Sequence, residues 1–84
     1  MQHYYFHLHN RIGFVPDQEG KPCPDLDEAR AQAVRDIRSI ISEEAKEGVI
    51  DLNGRIEIAS GDGDVVAVVQ FPQAFELRTV PGSA

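Results

Sequence analysis

Residues 24–48, PDLDEARAQAVRDIRSIISEEAKEG, decide the fold. Leu26, Ala29, Ala33, Ile37, Ile40 and Ile41 recur at intervals of three and four, which places them on one stripe of an α-helix. Arg30, Gln32, Arg35, Asp36, Glu43 and Lys46 flank that stripe with polar groups. Asp25 can accept from the first-turn amides, and Glu28, three positions on, completes a capping-box pattern. Gly48 suits the left-handed residue that ends a helix. The reading is a helix over residues 25–47, about 34 Å long at ~1.5 Å per residue. Ile37, in the middle of the stripe, is expected to be buried. Arg38, about 100° further round, is expected to point largely to water.

Outward from this helix the period changes to two. From His3 to Asn10 the side chains alternate, with Tyr4, Phe6 and Leu8 on one side and His3, Tyr5, His7 and His9 on the other, as in a strand. Residues 11–15 carry Ile12, Phe14 and Val15 and stop at Pro16, which cannot donate to a ladder, so a second strand is expected there, joined to the first by a hairpin near Asn10 and Arg11. Residues 16–20, Pro-Asp-Gln-Glu-Gly, read as a tight turn. Beyond the helix, residues 55–59 alternate again, residues 60–64 form a turn rich in Gly and Asp, and residues 65–69 are a β-branched run. Because this fourth strand is apolar on both faces, it is expected inside the sheet or under a second subunit, not on a solvated edge. Residues 71–77 would close the core. The fold class is therefore α+β: a two-layer ββαββ domain over residues 1–77, with a four-stranded, mainly antiparallel sheet, one long helix on one face, and a flexible tail over residues 78–84.

Composition bounds what such a domain can do. With 84 residues the chain holds one core and buries about 63% of its surface, so covering further apolar surface by homodimerisation is expected. A net charge of −6 opposes phosphate backbones, whose binding needs basic side chains that release counterions. No nucleic-acid partner is expected, and Arg30, Arg35 and Arg38 interleave with Glu28, Asp36 and Glu43 in a mixed, solvated face. The one cysteine, Cys23, excludes an internal disulfide. It reads as a thiol in a stiff loop, Lys21-Pro22-Cys23-Pro24, leading into the helix, where the dipole could favour the thiolate; an ordinary loop cysteine is the simpler reading. The opening Met1-Gln2-His3-Tyr4-Tyr5-Phe6 lacks the features of a signal peptide, and no apolar run reaches membrane-spanning length. A cytoplasmic location without a membrane partner is expected.

The chemistry-bearing residues converge on one place. His3, Tyr5, His7 and His9 form the candidate partner or ligand face, and His7 with His9 could bring two imidazoles to one metal ion. A zinc site needs three or four protein ligands, and the remaining ones would have to come from other strands. The plainer readings are a polar outer sheet face, or a partner surface with Val65 or Val69 beside it. Ser39, Ser42, Ser60 and Ser83 have no Gly-x-Ser-x-Gly setting. Gly61-Asp62-Gly63-Asp64 is too short for a calcium loop and precedes a strand, and Asp17 and Glu19 read as solvated turn carboxylates. No catalytic residue, metal or cofactor is assigned. The expected function is a noncatalytic binding or regulatory module acting through protein contacts, as a homodimer and with an unidentified protein partner. The alternative is a metal-dependent small-ligand binder or small enzyme using the histidine face.

Tyr5-Phe6-His7-Leu8, Asp17-Gln18-Glu19-Gly20, Asp25-Leu26-Asp27-Glu28-Ala29-Arg30 and Arg55-Ile56-Glu57-Ile58 together resemble a family of short bacterial proteins of unknown function. The resemblance spans residue 4 to about residue 75, and its specificity lies in the combination of an opening Tyr-Phe-His-Leu strand, an Asp-x-x-Gly turn, a Leu-x-x-Ala-Arg helix and a final hairpin ending near Phe71. Tyr-Tyr-Phe at positions 4–6 and a longer tail depart from the pattern. The resemblance implies the architecture and no activity. A looser similarity to HicB-type antitoxins rests on the Pro-Asp-Leu start of the helix. It concerns only the partner-binding half, because no room follows Leu77 for a DNA-binding segment.

Overall fold

The first strand is nine residues long because its alternation of apolar and polar side chains runs unbroken, and every other strand but one is built onto it. The computed structural model describes residues 1–81. Strand β1 (Gln2–Asn10) pairs along one side with β4 (Arg55–Ser60), from Tyr4 opposite Ser60 to His9 opposite Arg55. Its other side is shared by β2 (Gly13–Val15), opposite Leu8 to Asn10, and β3 (Lys21–Cys23), opposite Gln2 to Tyr4. Strand β5 (Val65–Gln70) pairs with the far side of β4. All pairings are antiparallel, so the sheet runs from β2 and β3 through β1 and β4 to β5.

Helix α1 (Leu26–Glu47) lies across one face, where the pleat directs Tyr4, Phe6, Leu8, Ile56, Ile58, Ala67 and Val69. Its N-cap Asp25 accepts from the Glu28 amide at 2.8 Å, and its C-cap Gly48 takes the left-handed conformation at φ +89°. Glu28 does not reach back to complete a box; its carboxylate instead holds Arg35, at 3.2 Å. The small Ala29 and Ala33 are fully buried and let the helix axis approach the sheet, while Ile37, 0% exposed, fills the centre with Ile58 and Phe71. A 3-10 turn (Phe71–Ala74) follows β5 and closes the end of the core. Gly54 lies against it: a Cβ there would come within 2.6 Å of the Phe71 ring and 2.9 Å of the His9 carbonyl oxygen.

The α+β class and the single long helix are as expected, but the sheet differs in three respects. It has five strands, not four, in the order βββαββ. The added β3 contains Pro22, which an outer strand tolerates because its missing amide would face away from the ladder. Cys23 is therefore a strand residue, 3% exposed, and not a loop thiol. Second, β5 is an edge, not an interior strand. It is apolar on both sides because Ala67 and Val69 face the helix while Val68 faces the other way. Third, residues 11 and 12 belong to the hairpin turn, where Asn10 Oδ1 accepts from the amides of Ile12 and Gly13 at 2.9 and 3.3 Å. Arg38 also does more than face water: its Nε donates to the Ala74 carbonyl at 2.6 Å and ties the 3-10 turn to the helix. Leu77, expected to help close the core, is 72% exposed. Residues 78–81 form neither helix nor strand, and the remainder of the expected tail, residues 82–84, lies outside the described residues. No helix among the described residues is long and apolar enough to cross a membrane.

Candidate functional site

With one helix on one side, the sheet leaves its second face without a covering layer among the described residues. Alternation in β1 delivers His3, Tyr5, His7 and His9 to this face, as the sequence reading expects. The rings form a line along the strand. His3 meets Tyr5 edge-on at 5.2 Å between centroids, and Tyr5 lies nearly parallel to His7 at 6.4 Å. Phe14, opposite His9 in the β1–β2 ladder, leans on His7 at 5.9 Å and on His9 at 4.6 Å while remaining 55% exposed. Across the sheet the same face continues through Glu57 and Arg55 to Val68 and Gln70.

Each histidine already has a polar partner. A carbonyl oxygen can only accept, so His3 Nε2 donates to Glu19 O at 2.7 Å. The Asp17 amide donates to His7 Nδ1 at 3.0 Å, which places the proton of a neutral His7 on Nε2. His9 Nε2 bonds Glu57 Oε1 at 2.7 Å, and Arg55 Nε stands 3.8 Å from the other Glu57 oxygen. The bond from His9 holds the Glu57 carboxyl below its ordinary range, and the charges of His9, Arg55 and His7 add to this. His7 and His9 thus turn to different partners, with Phe14 against both rings. Among the described residues no group of three His, Cys, Asp or Glu side chains is placed to hold a metal ion.

The residue that organises this side of the sheet is Asp17, whose sequence context alone reads as a solvated turn carboxylate. Between the stretches of β1 that pair with β2 and β3, Tyr5 to His7 have no strand on that side. The Asp17 carboxylate occupies the gap. One oxygen accepts from the Phe6 amide at 3.1 Å, and the other from the amides of Glu19 and Gly20 at 3.2 and 3.1 Å. Partial burial pushes the Asp17 carboxyl up, but the Gly20, Phe6 and Glu19 amides together outweigh it and hold it below the ordinary aspartate range, helped by His7. Gly20 completes the arrangement at φ +67°, where a Cβ would meet His3 Nε2 and Tyr4 O at 2.7 Å. The Asp-x-x-Gly spacing is the signal that could have located this structure; the parts played by Phe14 and Glu57 depend on strand register and had no local signal.

A concavity lies between the hairpin tip and α1, about 460 Å³ in volume, with Arg11, Ile12, Ile40, Glu43, Glu44 and Glu47 in its wall. Its acidic rim repels anions.

No curated protein matches the chain, and no solved structure matches it. The family model of a domain of unknown function, DUF6894, matches residues 3–72, a span that takes in β1 but for its first residue, the other four strands, the helix and the Asp17–Gly20 turn. Since that span covers most of the chain, the protein belongs to the DUF6894 family, whose function is unknown.

Proposed function

We propose that this protein is a small noncatalytic binding module that contacts a protein partner through the open face of its sheet. The observation that carries the reading is Phe14: a phenylalanine 55% exposed, tilted against two imidazoles at the β2 edge of a ringed surface that continues across the sheet to Val68. Isolated exposed apolar residues are ordinary, but contiguous aromatic surface bordered by polar groups is characteristic of protein contact sites. His7 and His9 turn to different partners, with Phe14 against both rings, which supports recognition over a metal site shared between them. The looser similarity to the partner-binding half of HicB-type antitoxins points the same way.

The test is affinity capture from native lysate with the wild type and Phe14→Asp as baits. Phe14 lies on a three-residue strand and is largely outside the core, so the variant should keep the wild-type circular dichroism and melting temperature. The expected result is a stoichiometric protein retained by the wild type and lost by the variant. Recovery of no such protein, or equal recovery by both baits, would refute the reading.

A further inference from the structure

The helix layer of this domain is half empty. Helix α1 rests chiefly on β4, β5 and the 3-10 turn, and burial on the face it covers falls off across the sheet. On β4, Ile58 is 0% exposed; on β1, Phe6 and Leu8 are only half-buried; on β2, Val15, which stands opposite Leu8 and so shares its face, is 49% exposed. The two flanks of the helix differ in the same way. One is closed by the 3-10 turn, to which Arg38 is bonded. The other, which carries Gln32, Asp36 and Glu47, has no neighbour in its layer among the described residues.

A groove runs along that open flank. The concavity by the hairpin tip meets another of about 380 Å³, and Asp36 stands in the wall of both. Between Gln32 and Glu47 the groove follows α1 for about 22 Å at ~1.5 Å per residue. Its floor is apolar, with Phe6, Leu8 and Val15 at one end and Ile40 and the 83%-exposed Ile12 at the other. Its borders are charged: Asp36, Glu43 and Glu47 on the helix and Glu19 on the turn outnumber Arg11 and Lys21.

We infer that this groove receives an amphipathic helix of a partner protein, apolar on one side and bordered by Lys or Arg. A floor of side chains offers no backbone groups to pair with, so an extended segment would bury unpaired amides, whereas a helix satisfies its own. A helix seated at the usual ~8–10 Å from α1 completes the layer, and the length of the groove accommodates about four turns. Charge selects the chemistry of the occupant: basic side chains meet the bordering carboxylates, and an acidic helix is repelled. A second copy of this chain, with a net charge of −6, is disfavoured on the same ground. The groove lies on the helix side of the sheet and Phe14 on the other, so this inference and the open-face reading stand or fall separately.

Two synthetic peptides of about four helical turns test this, sharing a leucine stripe at helical spacing and flanked by lysine in one and glutamate in the other. Titrated into the isotope-labelled full chain and followed by amide NMR, the lysine peptide should shift Val15, Asp36, Ile40 and Glu47, leave Glu57 and Val68 in place, and gain helical circular dichroism. Its dissociation constant should rise on the order of tenfold in Val15→Lys, which puts a cation in the floor, and by a similar factor between about 50 mM and about 500 mM salt. Phe14→Asp should bind it as the wild type does. Glu47→Lys gives the same reading if Val15→Lys does not fold. Shifts centred on Glu57 and Val68, equal binding of the glutamate peptide, a bound lysine peptide that gains no helix, or no shift at about 1 mM peptide would overturn the proposal. So would a folded Val15→Lys or Glu47→Lys that binds as tightly as the wild type. A concentration-dependent rise in mass that Val15→Lys abolishes would also overturn it, by assigning the groove to a second copy.

Discussion

Replacing Asp17 with Asn tests whether a side chain stands in for a strand. The carboxylate accepts three backbone amides, one from β1 and two from its own turn, through different oxygens. An amide side chain keeps one acceptor and turns an NH2 toward the other position, so either the Phe6 amide or the turn amides face a donor. Hydrogen bonds to charged acceptors contribute about 1.5–3 kcal/mol each, but these three share one half-buried group and do not add. We therefore expect a loss of about 2 kcal/mol in urea melts at pH 7, and a melting temperature lower by roughly 8–16 °C at ~4–8 °C per kcal/mol for a domain of this size. The pH dependence has a definite sign. Because folding lowers the Asp17 carboxyl below its unfolded value, its contribution is complete above the ordinary aspartate range and is lost as pH falls through the lowered value. The wild type should thus lose stability in acid more steeply than Asp17→Asn. Glu19→Gln is the control, since only its backbone is engaged, and should stay within ~0.5 kcal/mol. An Asp17→Asn variant that melts with the wild type at pH 7, with unchanged exchange of the Phe6 amide, would refute the account.

Gly54→Ala should cost about 1–3 kcal/mol in chemical melts, since the new methyl is met by the Phe71 ring and by a β1 carbonyl that cannot shift without loosening the β1–β4 ladder. Ile37→Asp should abolish the cooperative melt, because an unpaired carboxylate at a fully buried position costs several kcal/mol, and domains this small have only about 5 kcal/mol in total. Arg38→Ala should cost about 1 kcal/mol by freeing the Ala74 carbonyl, with amide exchange rising selectively in Phe71–Ala74. Glu57→Gln should change thermal stability by no more than about 1 kcal/mol, because the pair with His9 is part-exposed.

The helix was legible because three independent signals agree over residues 25–48: an N-capping aspartate, a continuous apolar stripe and a terminal glycine. Alternation likewise placed His3, Tyr5, His7 and His9 on one face correctly. It could not say what they touch, because Asp17 lies in a loop, and Glu57 and Phe14 arrive through register set by other strands. Strand β3 escaped the reading since three residues are too few to show a period and Pro22 argues against any strand. The misplacement of β5 has a different cause. A strand apolar on both sides fixes neither what covers each face nor whether its backbone has one neighbour or two: Val68 faces the open side and is 41% exposed. For Arg38, helical phase gives a direction only, whereas its long side chain turns back to the 3-10 turn.

Cys23 supplies a native probe of how this domain breathes. It is the sole thiol in the chain and sits buried where β3 meets the helix, so alkylating reagents reach it only when that corner opens. At low reagent concentration its labelling rate would measure the population of the opened form, and with excess reagent the opening rate itself, both without any introduced label. Since β3 is held to β1 by three residue pairs, one of them at a proline, labelling should proceed through this local detachment well before global unfolding.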